Sequence, residues 1–597
     1  MKNPYFHKAP ALLLLLCAAA CLTLSCAEDS SSVPNGQTEA GTETATESST
    51  AVSLSGEETL DPPLFSAESG FYDAPFSLTI SAADGAAIYY TTDGSLPTAE
   101  SPRYAGPLEI SDPSSAPDSL STRTDIAPAG IGYVPPDTPV DKAAVIRAVA
   151  VMPDGSHSPV VSRTYFVDFS RKAAYYRQMK TVSVVTDAQN LFDSDTGIYV
   201  LGKTHSDWIG GDDYSAAVPP WFMPANYTQH GRAWEREAFV QIFENGQMIA
   251  AQNAGIRIHG GATRSYPQKS LNLYARAAYG APKLNCDLFS GKVLSEYSGE
   301  PVTVFDTVIL RNGGNDAMYT RFRDKLNQSL SAGRAFLTQG MEPCTVFLNG
   351  EFWGQYEITE KADAAFVKAH CGVPKKDVCI VKKEELDEGS EETYAEWQQL
   401  REQIRKADYT DPSAYAELCE AVDMQSFADY VSCEIYMANA NWGSSNAAMW
   451  KASVTDEGNP YADGKWRFIM FDTEYSTGIY GEVLPSDDSF SRLLERDCFL
   501  ADLLRAALKN DSFREQFDRS FREIAEQCFR PEKVSAAIDA LEASYRDAAA
   551  DTCLRFRNSR TDRAEAEESF TAAVRSVREF YAERPQYIMA YLEQLTG

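Results

Sequence analysis

Thr345-Val-Phe-Leu-Asn-Gly-Glu-Phe-Trp-Gly-Gln-Tyr-Glu-Ile-Thr-Glu360-Lys-Ala-Asp363 reads as two apolar strands joined through Asn349-Gly350. Asn-Gly between apolar runs is the sequence mark of a tight hairpin, because both turn residues must take positive φ. The second strand delivers Glu360 and Asp363 to the head of a helix. Further along, Trp466-Arg-Phe-Ile-Met-Phe-Asp472-Thr-Glu474 is another apolar strand that ends on two carboxylates. It follows Asn439-Ala-Asn441-Trp-Gly-Ser-Ser-Asn446. A site that transfers a phosphoryl group needs one side chain to orient the attacking hydroxyl, and carboxylates with an amide to hold magnesium. The five-residue spacing of Asn441 and Asn446, with Asp472 after the next strand, fits that pattern.

Upstream, Ala254-Gly-Ile-Arg-Ile-His259 alternates as a strand does, enters Gly260-Gly261, and returns through Gln268-Lys269-Ser270-Leu-Asn-Leu-Tyr274. A small-residue hairpin with a lysine on its return strand can present N–H groups and an ammonium to phosphates. It is not a Walker A loop, since Gln268 precedes Lys269 where glycine belongs. An ordinary hairpin with two glycines would look much the same.

Outward from this centre the chain is modular. Its 597 residues suggest three or four domain-sized units. Residues 62–168 carry short β-branched runs (Phe76–Ile80, Ala87–Thr92, Ala144–Ala150, Val160–Val167) separated by Asp84-Gly85, Asp93-Gly94 and Asp154-Gly155 turns. That rhythm predicts an all-β, immunoglobulin-like sandwich, with the Pro- and Ser-rich stretch at 112–140 as a loop. From about 485 the apolar residues (Leu493, Leu503, Phe513, Phe517, Phe521, Ile538, Val577, Ile588) recur at helical spacing among charges, predicting a helical subdomain that packs and carries no chemistry.

The N-terminus reads as an export signal. Lys2 and Lys8 precede an apolar run to Leu24, and Leu22-Thr-Leu-Ser-Cys26 resembles a lipoprotein cleavage box, which marks Cys26 for lipidation; Cys21 is a rival position. Between residues 27 and 60 there are seven acids, no Lys or Arg, and abundant Ser and Thr, the composition of a solvated tether. The expected location is therefore extracytoplasmic, on a membrane through a lipid anchor at the cell surface. A formal charge of −31 argues against nucleic acid as a partner. The nine cysteines beyond the signal contain no CxxC pair and read as single thiols rather than zinc ligands or a disulfide framework.

Two resemblances follow. Gly70-Phe-Tyr, Ile88-Tyr-Tyr-Thr-Thr-Asp-Gly-Ser-Leu-Pro-Thr98 and Thr164-Tyr-Phe resemble a chitobiase/β-hexosaminidase C-terminal-type domain. In order along residues 175–590, Trp234-Glu235, Arg257-Ile-His-Gly-Gly, Lys269-Ser270, Arg311-Asn312, Arg323-Asp324, Phe347–Gly354, Glu360, Asn439–Asn446 and Phe471-Asp472 resemble the CotH kinase family. That resemblance implies an α+β, atypical protein-kinase-like fold over 172–484, completed by the helices of 485–597. It implies ATP with Mg2+, and phosphorylation of serine or threonine on coat or other surface proteins. Carried onto this chain, Gly260, Gly261, Lys269 and Glu360 would meet nucleotide, and Asn446, Asp472 and Glu474 would hold metal. The family pattern has aspartate where this chain has Asn441. An amide cannot accept a proton at neutral pH but can still orient a hydroxyl. Three functions are therefore carried forward: a surface kinase acting on an exported phosphoacceptor, a kinase-like scaffold or adhesin with weakened catalysis, and a carbohydrate-associated surface protein.

Overall fold

The computed structural model describes residues 57–557 and 562–597; the signal, Cys26 and most of the tether lie outside the described residues. The strands that position the site are β1 (Gly70–Tyr72), β2 (Ala87–Thr91), β3 (Ala144–Val151), β4 (Val161–Val167), β5 (Lys180–Val185), β6 (Arg236–Glu244), β7 (Gln247–His259), β8 (Ser270–Tyr274), β9 (Thr307–Arg311), β10 (Leu337–Thr338), β11 (Met341–Leu348), β12 (Glu351–Glu360), β13 (Val378–Lys382), β14 (Glu385–Glu388), β15 (Ala448–Ala452) and β16 (Arg467–Met470).

Eleven of them form one sheet in the order β6-β5-β11-β12-β9-β8-β7-β1-β4-β3-β2, and a further pairing of β6 with β7 closes the first seven into a ring. The Asn349-Gly350 hairpin joins β11 to β12 as its sequence predicts, with both residues at positive φ. Closure sorts side chains by parity, since alternate residues of a strand point to opposite faces. Val182, Val240, Ile256, Ile258, Leu271, Leu273, Leu310, Val346 and Ile358 join a single apolar cluster. The alternate residues Arg257, Asn272, Tyr274, Ile309, Arg311, Glu357 and Thr359 line the opposite face, in register across β7, β8, β9 and β12. A smaller mixed sheet, β10-β16-β15-β13-β14, lies alongside.

The N-terminal module is β-rich as expected, with its own core of Leu78, Ile80, Ile88, Ile110, Ile146, Ala148, Tyr165 and Val167. It is joined rather than tethered to the rest. The Phe71 N–H donates to Gly246 O at 3.0 Å, and Phe166 stacks edge-on to Phe243 and Phe347 at centroid distances of 5.3 and 5.0 Å. The 112–140 stretch has no strand, in keeping with the loop expected there. It is nevertheless a packed strap: Glu351 accepts the N–H groups of Ser119, Leu120 and Ser121 at 2.6, 3.1 and 2.8 Å, with Leu120 and Ile126 buried beneath.

Helices α1 (Arg323–Ser331), α2 (Ala364–Cys371), α3 (Glu391–Lys406), α4 (Pro412–Ala421) and α5 (Met424–Tyr436) surround the small sheet, and α6 (Ser489–Leu494), α7 (Phe499–Ala507), α8 (Asp511–Gln527), α9 (Pro531–Arg555) and α10 (Arg563–Thr596) form the helical C-terminal region. Their apolar stripes merge into one core with α5. The fully buried Arg584 donates to the carbonyls of Ile435 and Tyr436 at 3.0 and 3.1 Å, satisfying the end of α5. The nine cysteines of the described residues are free thiols, most of them buried.

Burial alone would raise the Glu351 carboxyl, but the three backbone donors hold it below the usual range. Glu351→Ala should cost about 3 kcal/mol and expose the 112–140 strap to limited proteolysis. Because the folded value is depressed, this contribution is complete above about pH 4.3 and fades as pH falls through the folded value. Parallel acid titrations of Tm for the two proteins should therefore converge at low pH.

Candidate functional site

Asp472 lies two residues past the end of β16 and Asn441 follows α5, and the backbone ties these segments together. Ala440 N–H donates to Tyr475 O and Thr477 N–H to Met437 O, each at 2.9 Å. Asp472 and Ala438 both sit at positive φ, 59° and 54°. Such backbone is costly for residues with a Cβ and persists where the surroundings dictate it. The result is that Asn446 Nδ2 donates to Asn441 Oδ1 at 3.1 Å and to Asp472 O at 3.3 Å. Trp442 Nε1 anchors the loop on Tyr430 OH at 2.8 Å. The structure thus brings Asn441, Asn446, Asp472 and Glu474 together.

Two residues complete the group that sequence reading named without a role. Asp324, on the first turn of α1, accepts Thr473 N–H at 3.1 Å and Thr473 Oγ1–H at 2.8 Å through Oδ1. Carboxylate oxygens of Asp324, Asp472 and Glu474 lie within 4.8 Å of one another. Arg311, at the end of β9, inserts its Nη2 among them: it donates to Asp472 Oδ1 and Glu474 Oε2, and lies 3.4 Å from Asp324 Oδ2. Asp324 Oδ2 is buried and accepts no hydrogen bond. Gly314 makes room for Glu474, since a Cβ there would lie 2.0 Å from Glu474 Oε1.

The electrostatics follow from this crowding. Burial and then the neighbouring Asp472 raise the Glu474 carboxyl well above its ordinary range, against the pull of Arg311. Arg311 itself is raised, because three carboxylates outweigh its burial. Behind them Glu434, fully buried on α5, is raised by desolvation and by Asp324 and Asp472, and its carboxylate accepts from Asn439 Nδ2 at 2.9 Å. Glu357, paired in register with Arg311, is pushed up to about 7 by burial. Three carboxylates around one guanidinium carry a formal −2 when ionised. The donor set is all oxygen, with an orphaned Asp324 Oδ2, and such a set fits a hard divalent cation such as Mg2+.

The two glycines and Lys269 stand elsewhere. Lys269 shares its face of β8 with Leu271 and Leu273, the inward face, opposite Arg311. Its ammonium donates to the carbonyls of Arg264 and Tyr266 at 2.6 and 2.8 Å and lies 3.8 Å from the Tyr227 ring centre. Burial lowers its pKa well below that of a solvated lysine. Lys269 is therefore a strut for its own loop, not a phosphate contact, a correction that follows from strand parity. Gly260 and Gly261 turn carbonyls onto that loop, to Arg264 Nε and Arg264 N–H. Glu360 is likewise occupied, accepting Gly340 N–H at 2.8 Å and lying 3.0 Å from His370 Nε2.

Arg257 and Lys361 share the strand parity of Arg311, and Lys382 comes from the small sheet. Arg257 lies over the Tyr274 ring at 4.3 Å with Lys361 at 5.8 Å from the same ring, and Lys382 is 5.7 Å from the Phe471 ring, next to Asp472. Period-two alternation of β7 and β8 would have pointed to Arg257 over Lys269.

An α+β head in which an Asn loop and a strand-end Asp-x-Glu converge under a cation-lined sheet face has the layout of a kinase-like domain. The family model described as CotH kinase protein matches residues 256–588, more than half of the chain, and the chain belongs to that family. The model described as Fn3 associated matches 76–165, in the N-terminal β-sandwich. No curated protein matches the chain.

Mg2+ should raise Tm, by an amount corresponding to about 2.7 kcal/mol at a hundredfold excess over its Kd, and Asp324→Asn or Glu474→Gln should shrink that gain. Because the folded Glu474 is raised, metal-free stability should fall as pH climbs from about 4.3 through the raised value. The gain from Mg2+ should grow over the same interval, since the cation binds the carboxylate form. Calorimetric scans across pH, with and without Mg2+, read both slopes.

Proposed function

We propose that this protein is an exported, lipid-anchored phosphotransferase that uses ATP with Mg2+ to phosphorylate serine or threonine of a surface protein. The observation that carries the reading is the cluster of Asp324, Asp472 and Glu474 around Arg311, with Asn446 beside it. Asp472, Glu474, Asp324 and the amide oxygen of Asn446 would hold the metal. When bound, Mg2+ would neutralise phosphate oxygens as charge shifts between them. Arg257, Lys361 and Lys382 supply positive charge along the sheet face leading to Asp472, where polyphosphate would lie. Asn441, half-buried at the mouth, orients the attacking hydroxyl through its amide. It accepts no proton, so turnover rests on positioning and on the charge of the cluster, which suffice for a loose phosphoryl transition state at reduced rate.

Asn441 also favours a second reading: a kinase-like head that binds nucleotide and partner without turning over, displayed on the cell surface as a scaffold or adhesin. Export sharpens that choice, since a cleft outside the membrane meets little free ATP.

Mg-ATP phosphotransfer onto a mixture of Ser/Thr peptides by the wild type, Asn441→Asp and Asp472→Ala separates the two. On the kinase reading the wild type incorporates phosphate, Asn441→Asp raises the rate about a hundredfold, and Asp472→Ala abolishes it. A silent wild type that Asn441→Asp rescues establishes the scaffold. ATP that leaves Tm unchanged in the presence of Mg2+ counts against both.

A further inference from the structure

The turn Gly314–Met318 follows Arg311 at one end of β9, whereas Lys361 lies beside Tyr274 at the other end. Its Asn315 N–H donates to Glu474 Oε1 at 3.2 Å, and its far end, Ala317 and Met318, walls a cavity of about 200 Å³. Tyr133 from the N-terminal strap, Tyr266 and Pro267 from the β7–β8 loop, and Cys553 and Phe556 from the end of α9 are among the other walls. They are predominantly apolar, and Met318 at the rim is 56 % exposed. Two guanidinium groups also line it: Arg321 donates to Gln355 Oε1 at 2.7 Å and to Gln268 Oε1 at 2.6 Å, and Arg557 is ion-paired with Asp137. The cavity therefore offers mainly apolar contact area and shape, with its two guanidinium groups already engaged by other residues of the chain.

Strand register gives its direction from the reacting centre. Along β9, Thr307 pairs with Tyr274 at the end where Lys361 lies, whereas Arg311 stands at the other end, beside Asn312 and the turn. Phosphoryl transfer requires the donor and the attacking oxygen to approach from opposite sides of the phosphorus. If polyphosphate lies along Lys361 and Lys382, the acceptor chain comes in past Asn441 on the side of Gly314–Met318. A five-residue 3-10 turn spans about 10 Å, which an extended polypeptide covers in about three residues.

Resting on the phosphotransferase reading, we propose that this cavity is a specificity subsite for one large apolar side chain, Leu, Met or Phe, about three residues from the phosphorylated serine or threonine. The strap makes the N-terminal module part of substrate selection, because Tyr133 belongs to it while Met318 and Cys553 belong to the kinase-like head. Seating such a side chain removes its apolar surface from water, and with partial burial this amounts to about tenfold in affinity.

The test uses the whole mature protein and fluorescent peptides with one central Ser in a Gly/Ala background and a single Leu or Phe moved from four residues before it to four after. Anisotropy with Mg2+ and a non-hydrolysable ATP analogue reads binding, and Mg-ATP incorporation reads transfer. An optimum of about tenfold at one position near three residues away, lost in both Met318→Asp and Cys553→Trp, is the expected result. Binding of the unsubstituted peptide and Mg2+-dependent stabilisation should stay unchanged in those variants, which reports that they fold. A flat positional profile, or an optimum that survives Cys553→Trp, overturns the subsite. Position-dependent binding with no transfer in any variant keeps the subsite and removes the kinase reading instead.

Discussion

The guanidinium of Arg311 among Asp324, Asp472 and Glu474 is the contact on which the head depends. These four side chains come from β9, α1 and the segment after β16, so the ring, the small sheet and the helices meet at one charge cluster. Removing a partner from a buried ionic group leaves uncompensated charge at a cost of several kcal/mol. Arg311 thus serves as a built-in cation that keeps three carboxylates in place before any metal arrives. The same arrangement leaves an excess of negative charge, which a divalent cation can answer.

The supporting layers have matching roles. Closure of the seven-stranded ring fixes which face of β7, β8, β9 and β12 is polar, and so where Arg257, Arg311 and Glu357 point. Arg584 secures the end of α5, from which the Asn441–Asn446 loop departs, and Tyr581 OH holds Asn327 Oδ1 at 2.6 Å beneath Thr473. The C-terminal helices, expected to pack only, are in this sense part of the site's geometry. The strap on Glu351 does the same for the N-terminal module, which shares a sheet and an aromatic cluster with the head.

Much of this was legible in the chain. Asn349-Gly350 announced its hairpin, Asp-Gly turns marked the sandwich, the spacing of Asn441, Asn446 and Asp472 fitted a phosphoryl-transfer site, and the family resemblance added Glu474 to it. Lys269 was misread because a lysine after a glycine hairpin is attractive chemistry, while its face is set by strand parity with Leu271 and Leu273. Asp324 and Arg311 lie about 150 residues before their partners, and nothing local marks them as a pair of charges bound for one cluster. The packed strap was hidden for another reason: Pro and Ser predict a loop, and only Glu351, far away in sequence, holds it down.

The account stands or falls on whether those carboxylates hold a metal beside nucleotide phosphates. Crystals grown with Mn2+ and a non-hydrolysable ATP analogue, measured at the manganese edge, test it directly. An anomalous peak about 2.1 Å from oxygens of Asp472 and Glu474, with the phosphates reaching toward Lys361 and Lys382, is the predicted result. A peak elsewhere, or a nucleotide bound away from Asp472 with the guanidinium of Arg311 still filling the cluster, would contradict it.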